Sequence, residues 1–571
     1  MSGSGGPGGL RLWVPLATLT GALAGAAAAA FAELLHLANE LLLRGVAGHA
    51  VPGVVGEGGP REASGFPYPL VVPLLVAAGA FVATALVLRV APETSGHGTD
   101  AAIHAAHFDP TGMRARVPAV KMVASAVLIG SGGSGGSEGP TAQITAALAS
   151  VVARRFRLTY QQARTTVAMG LAAGVGAIFR SPLGGALLGA ELLYRADVAP
   201  GVVVPALLAS AVSFLVFGLI HGFDPLFGTV AGTGWEHPAQ WLVVPLLGLL
   251  AGLLGRLYAS VFYASAGFFS SARMRRLPRV LRPTLAGLVV GSIGLVVPGV
   301  LGTGYGTAQR ALDPQAVLST SVWLLLAIPL VKIASTSLSV GSGGSGGIFG
   351  PGLVIGATAG AAVWRLLEPL GIAPDSPAPY VIIGMAACLG SIAHAPLALI
   401  VMSAETTGNL SLLFPTMLAT GIACLVVGDR TLYRSQLRDR AADPDEPRPG
   451  ASPARGEGLS GPSVVGPRLP ASGPPADRPG RPGRSRERSR RTGRSIRPGQ
   501  RAAAPVPRRW TAQLYPPAGR TGKITGGAGA PAGRAGEPAA GTEGSRGRVG
   551  DPPDRQKKPT GDVGELAGRQ Q

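Results

Sequence analysis

Charge is what this 571-residue chain lacks most: only 14% of it is Asp, Glu, Lys or Arg, against about a quarter in an ordinary soluble domain. With 47% hydrophobic residues and a mean hydropathy of +0.34, that shortage excludes a soluble protein of this size. Cysteine is nearly absent, with two residues, which excludes a disulfide-stapled secreted scaffold. Both of them, Cys388 and Cys424, sit inside apolar runs, where a buried thiol is expected and a metal site is not. Aromatics make up 5% while glycine reaches 86 residues. Small residues let helices approach closely in lipid, where van der Waals packing replaces the hydrophobic drive. The class expected is a polytopic all-α membrane protein.

The net charge of +20 is not spread evenly. Residues 441–571 hold 24 Lys and Arg against 12 Asp and Glu, in a Pro-, Gly-, Arg- and Ser-rich composition without apolar periodicity. Such a segment buries too little surface to offset its ordering entropy, so it reads as a disordered tail. Its basic character fits the positive-inside bias of cytosolic segments and contact with anionic lipid. Without interleaved aromatics or a folded module, no nucleic-acid partner is expected.

Apolar runs occupy the rest. The first begins near Leu12, passes Ala32 and continues to Leu43, longer than a signal-peptide core and therefore a retained spanning helix. Others follow at 69–91, 114–129, 139–153, 165–178, 181–193 and 201–221, then at 240–270, 283–299, 320–340, 349–365, 379–390, 394–404 and 411–428. Several reach the ~20 residues a span needs. The shorter ones, broken by Gly or Pro, are tolerated at membrane depth only inside protein or beside a watery cavity. Expected boundaries are a short N-terminal segment at 1–11, a first membrane repeat at 12–223, a second at 237–440 and the tail at 441–571.

The word repeat rests on identity. Residues 130–140 read GSGGSGGSEGP and residues 341–351 read GSGGSGGIFGP, nine of eleven positions alike at an offset of 211 that also pairs Val120-Lys121 with Val331-Lys332. Each copy joins two apolar helices through a Gly-rich turn, with Pro in the first turn of the second helix. Glycine permits close backbone approach, Pro at a helix start forfeits no needed N–H, and a helix N-terminus offers unpaired donors and partial positive charge. Two such N-termini in one cavity hold an anion without a full cation, so that it can also leave. A nucleotide-phosphate loop is excluded, because Pro140-Thr141 follows Gly139 where that loop requires Lys-Ser/Thr.

The copies differ where it matters: Ser137-Glu138 stands opposite Ile348-Phe349. A carboxylate inside the membrane costs roughly 2.5–3.5 kcal/mol and is functional by default. Beside two anion-attracting helix ends it can occupy the anion's own place and be displaced by protonation or by an anion, which makes a gate. The alternative is a carboxylate that merely caps its own helix.

These residues resemble the CLC chloride channel and proton–chloride exchanger family. GSEGP at 136–140 is similar to the family's gating-glutamate motif, with Ser137 in place of the usual basic residue, and GGIFGP at 346–351 is similar to its second pore motif. SGHGTDAAI from Ser95 resembles the first pore motif, and RTLYRSQL from Arg430 the final helix. FRSPLGGALLGAELLYR at 179–195 and ETTGNLSLLFP at 405–415 complete six landmarks in family order between about residues 12 and 440. The resemblance implies an inverted-repeat homodimer in the plasma (inner) membrane, without enzymatic activity or cofactor. Glu138 would be the external gate. The turns at Gly136, Ser137 and Gly139 and at Gly347, Ile348, Phe349 and Gly350, with the Tyr433 hydroxyl, would bind chloride or a similar anion. Gly96, His97 and Gly98 would form the inner part of the site, and Lys121 would raise the potential around the pore.

Two departures qualify the resemblance. His97 replaces the family's pore serine and Asp100 its proline, which makes anion selectivity an open question. Exchangers commonly carry an inner proton-relaying Glu one residue after the position of Glu191, where this chain has Leu192. Glu191 remains as a candidate for an inner proton path or as a structural carboxylate. The reading favoured is a passive voltage- or pH-gated anion channel; the alternative is a proton-coupled chloride antiporter, and the third a non-transporting membrane scaffold.

Overall fold

A computed structural model describes residues 7–57, 65–230 and 238–443. The expected tail from 444 onward and the first six residues lie outside the described residues. Every apolar run noted above contains a helix. The first half holds α1 (Pro7–Ala38), α2 (Val71–Val90), α3 (Thr99–Phe108), α4 (Val117–Gly130), α5 (Glu138–Arg155), α6 (Tyr160–Ile178), α7 (Pro182–Glu191) and α8 (Pro200–His221). The second holds α9 (Pro238–Phe269), α10 (Leu281–Val296), α11 (Tyr305–Ala311), α12 (Pro314–Ser319), α13 (Val322–Gly341), α14 (Phe349–Leu367), α15 (Ala378–Ile392), α16 (Pro396–Thr407) and α17 (Leu413–Val427). Among the described residues there is no strand, only two isolated bridges. Six helical stretches are long and apolar enough to cross a membrane, and others of 10–17 residues are apolar but too short. The chain is an integral membrane protein of full and half-length helices.

The two halves meet around a local two-fold relation. Gly136 and Gly347, equivalent positions of the repeat, exchange both backbone hydrogen bonds at 2.8 Å in an antiparallel bridge. Ser134 Oγ meets Thr336 Oγ1 at 2.9 Å, and Ser125 Oγ meets Ser345 Oγ at 3.1 Å. Adding 211 to Ser125 and to Ser134 gives Thr336 and Ser345, so each contact is the other with the copies exchanged. Further out, Arg180 and His394 share the uncommon φ of 54° immediately before α7 and α16. The antiparallel meeting of equivalent turns makes this an inverted repeat.

Helix ends are closed across the same relation. Glu405 on α16 accepts the N–H groups of Leu183 (3.1 Å) and Gly184 (2.8 Å) and the Ser181 hydroxyl at the start of α7. Glu191, at the end of α7, accepts the N–H groups of Leu397 (3.3 Å) and Ala398 (2.8 Å) at the start of α16. A carboxylate there satisfies orphan donors and complements the helix dipole. Glycines set the helix spacing: a Cβ on Gly356 of α14 would lie 2.1 Å from the Gly384 carbonyl oxygen of α15, and one on Gly384 would lie 2.3 Å from that of Gly356. This is the close approach that small residues allow in lipid.

Two buried lysines serve equivalent positions. Lys121 Nζ donates to the carbonyls of Thr94 (3.0 Å) and Gly96 (2.6 Å), and Lys332 Nζ to those of Val300 and Gly302, both at 3.1 Å. Each ties the turn ahead of a short helix (α3 or α11) whose N-cap glycine, Gly98 or Gly304, has φ of 86° or 81°, a conformation that favours glycine.

Candidate anion pathway

Three glycine-bearing segments converge at the centre of the fold. A Cβ on Gly139 would lie 2.3 Å from the His97 carbonyl oxygen and 2.9 Å from the Gly347 Cα, and one on Gly98 would lie 2.7 Å from the Gly139 carbonyl oxygen. The loop at 96–98, the start of α5 and the turn before α14 therefore touch backbone to backbone. Absence of side chains at these positions makes the contact possible, and it directs the N-termini of α3, α5 and α14 to one region.

Glu138 begins α5 and is buried. Its carboxylate does more than close its own helix. Gly350 N–H, in the first turn of α14, donates to Oε2 at 3.0 Å, while the Ser137 hydroxyl donates to Oε1 at 3.0 Å. The carboxylate thus takes a helix-start donor of the other repeat, with the charge-assisted bond that an anion would form there. Gly350 has no room for a side chain, since a Cβ would lie 2.3 Å from the Tyr305 hydroxyl and 2.8 Å from Glu138 Oε2. Ile348 and Phe349 are buried at this helix start. Tyr258 of α9 donates its hydroxyl to the Ile348 carbonyl at 2.9 Å, which fixes that peptide.

On one side lies a cavity of about 560 Å³, lined by Ser137, Ile178, Tyr305 and Gly302 near Glu138 and by Glu57, Arg180, His36 and Arg44 further away. A much smaller cavity, about 20 Å³, is lined by Ser95, Gly96, His97, Gly98, Asp100, Ala101, Phe262 and Tyr263. The His97 ring is buried, with its centroid 5.7 Å from that of Tyr433 and 5.9 Å from that of Phe262. Tyr433 is also buried; its hydroxyl makes no well-formed hydrogen bond among the described residues, and the Thr99 side chain is a polar neighbour. The wide cavity thus reaches Ser137, next to Glu138, and the small one reaches His97, whose ring neighbours Tyr433.

The structure brings together Gly96, His97, Gly98, Gly136, Ser137, Glu138, Gly139, Gly347, Ile348, Phe349, Gly350 and Tyr433. Lys121 reaches the group through the carbonyl of Gly96. Glu191 stands apart from it, with both oxygens occupied at the start of α16. Sequence reading missed Tyr258 and Tyr305, whose isolated positions gave no motif. It also passed over Lys332, although the 211-residue offset from Lys121 was the available signal. The place of the His97 ring leads to one expectation: His97→Ser shifts the ranking among chloride, nitrate and fluoride in flux assays, and an unaltered ranking would mean that the ring takes no part.

Converging helix starts of the two copies, in an inverted repeat of full and half-length helices, place the chain in the channel and transporter class of membrane proteins. The family described as voltage gated chloride channel matches residues 79–428. The chain belongs to the voltage gated chloride channel family, whose members are chloride channels and transporters and not enzymes. It is 31% identical over 353 residues to the putative chloride channel protein ClcB-like of Ralstonia nicotianae, covering 60% of this chain and 79% of that one. It is 33% identical over 322 residues to the voltage-gated ClC-type chloride channel ClcB of Escherichia coli O9:H4, covering 56% and 74%. Solved structures share the fold. A slow cyanobacterial Cl−/H+ antiporter has a TM-score of 0.60 at 22% identity, covering 73% of this chain and 94% of that one. A CLC-type fluoride/proton antiporter has a TM-score of 0.62 at 20% identity, covering 76% and 99%.

Proposed function

We propose that this protein is a passive chloride-conducting channel gated by Glu138. The observation that carries the proposal is the Glu138 carboxylate seated on the Gly350 N–H of the opposite repeat. A permeating anion and the gate compete for one donor. Proton binding to the carboxylate removes the charge that holds it there, so conduction rises as the solution becomes acidic. The turns at 136–139 and 347–350, with Tyr433, form the anion sites, and Gly96–Gly98 their inner extension. The proposal extends to a homodimer in the plasma (inner) membrane, with repeats at 12–223 and 237–440 and a cytosolic segment from 441.

Two features favour conduction without proton coupling. Leu192 cannot carry a proton, and both oxygens of Glu191 are engaged in closing α16. The competing reading is proton-coupled antiport, which the names of the fold's solved relatives favour. Purified protein in liposomes separates the two. Under the channel reading, a chloride gradient dissipates without moving protons; reproducible uphill proton movement would establish the antiporter instead. A complete lack of anion flux would leave a non-transporting scaffold.

A further inference from the structure

The narrow cavity contains a carboxylate that the gate at Glu138 does not use. Asp100 is the second residue of α3, is buried, and lines that cavity with His97, Phe262 and Tyr263. Its Oδ1 accepts the backbone N–H of Ser435 at 2.8 Å, across 335 positions of sequence. Ser435 lies two residues beyond Tyr433. Other backbone bonds of this segment run elsewhere: Leu432 N–H donates to the Ile392 carbonyl at 3.2 Å, and the Leu432 carbonyl accepts the Tyr263 hydroxyl at 2.6 Å. Asp100 therefore ties the Tyr433 segment to the 96–98 side of the cavity. Its position in the first turn of α3 complements the helix dipole.

The charged surroundings of Asp100 are specific. Arg434 is in Coulombic reach and lays its guanidinium 3.8 Å from the Tyr263 ring centroid. Tyr433 is within Coulombic reach of Asp100, and His97 stands just ahead of the N-cap of α3. The helices packed on α3 bring groups already engaged. On α5, Glu138 binds Gly350 and Arg154 binds the carbonyls of Thr111 and Met113; on α6, Arg164 pairs with Asp443 at 2.6 Å, next to His107. A negative charge at so small an opening repels any anion passing it, and a charged acceptor strengthens the tie on Ser435.

We propose that Asp100 is a second, inner gate operated by a proton: ionised, it repels anions and holds the Tyr433 segment across the narrow cavity; protonated, it loses both effects and anions pass. The proposal rests on the anion-pathway reading given above. It makes the conductance sensitive to acid at a second point, apart from Glu138.

The test is chloride efflux from liposomes containing the full chain, as Glu138→Gln and as Glu138→Gln/Asp100→Asn, at neutral and acid pH. Asparagine keeps an acceptor oxygen for Ser435 N–H, so folding is preserved while the titratable charge is lost. The Glu138→Gln protein retains a rise in flux with acid; the double variant is about tenfold faster at neutral pH and shows no pH response, as expected for removal of one nearby charge. A pH-flat Glu138→Gln protein, a double variant that keeps the pH response, or one that is uniformly slower overturns the proposal. Absence of chloride flux from the wild-type protein overturns the pathway reading itself, and the inner gate with it.

Discussion

Glu138→Gln is expected to raise chloride flux at neutral pH about tenfold and to remove part of its increase with acid, because a charge-assisted hydrogen bond outweighs a neutral one by about 1–2 kcal/mol. Glutamine preserves shape and can still accept from Gly350 N–H, but it cannot bind that donor as an anion does. The sign follows from the contact. On the proposed gate, an ionised carboxylate holds the Gly350 donor, so acid should open the pathway and alkali close it. A proton has nothing left to do at this site once the side chain is permanently neutral, and any rise with acid that remains must come from another group. Flux assays in liposomes over a pH series measure this. Unchanged flux with an unchanged pH response would reduce Glu138 to a cap on its own helix.

Loss of Lys332 is expected to have the largest effect on the fold. Its ammonium is wholly buried and bonds the carbonyls of Val300 and Gly302. Gly302 is in turn joined to the first repeat, accepting from Gly135 N–H at 3.2 Å and donating to the Gly132 carbonyl at 3.3 Å. Lys332→Ala takes the donor from the Val300 carbonyl, leaves the Gly302 carbonyl with Gly135 N–H alone, and opens a cavity where the stem lay, together about 4 kcal/mol. Lys332→Met refills most of the space without restoring the donor. Thermal unfolding of detergent-solubilised protein should therefore rank wild type above methionine and methionine above alanine. Equal midpoints would show that water satisfies these carbonyls without the lysine.

Much of this architecture was legible in the sequence because duplication leaves a signal that local propensity does not. The near-identity of 130–140 with 341–351 located both turns, and the single carboxylate that breaks it pointed to Glu138, which bonds the Gly350 N–H of the other copy. Helix existence followed from apolar runs, since lipid leaves few alternatives for the backbone. Short elements escaped the same reasoning. Helices α3, α11 and α12 have 10, 7 and 6 residues with polar ones interspersed, so they produce no apolar run, and they are placed by contacts with other segments. Glu191 shows the same limit from the other side. Its residue type is compatible with proton transfer or with capping, and only the positions of Leu397 and Ala398, about two hundred residues away, reveal the bonds it makes. Tyr258 acts on Ile348 across 90 positions, and nothing in its immediate neighbours signals that role.

The reciprocal carboxylates at Glu191 and Glu405 also constrain the order of assembly during synthesis. The N-terminus of α7 has its donors satisfied by a side chain that leaves the ribosome more than two hundred residues later. Until Glu405 is made, the first half can insert its helices but must leave the start of α7 open to water or lipid headgroups. The second half meets no such delay, because Glu191 is already waiting when Leu397 and Ala398 arrive. Insertion is thus sequential, whereas closure of the two halves is mutual and late, and a chain truncated before residue 405 would retain its spans without a finished core.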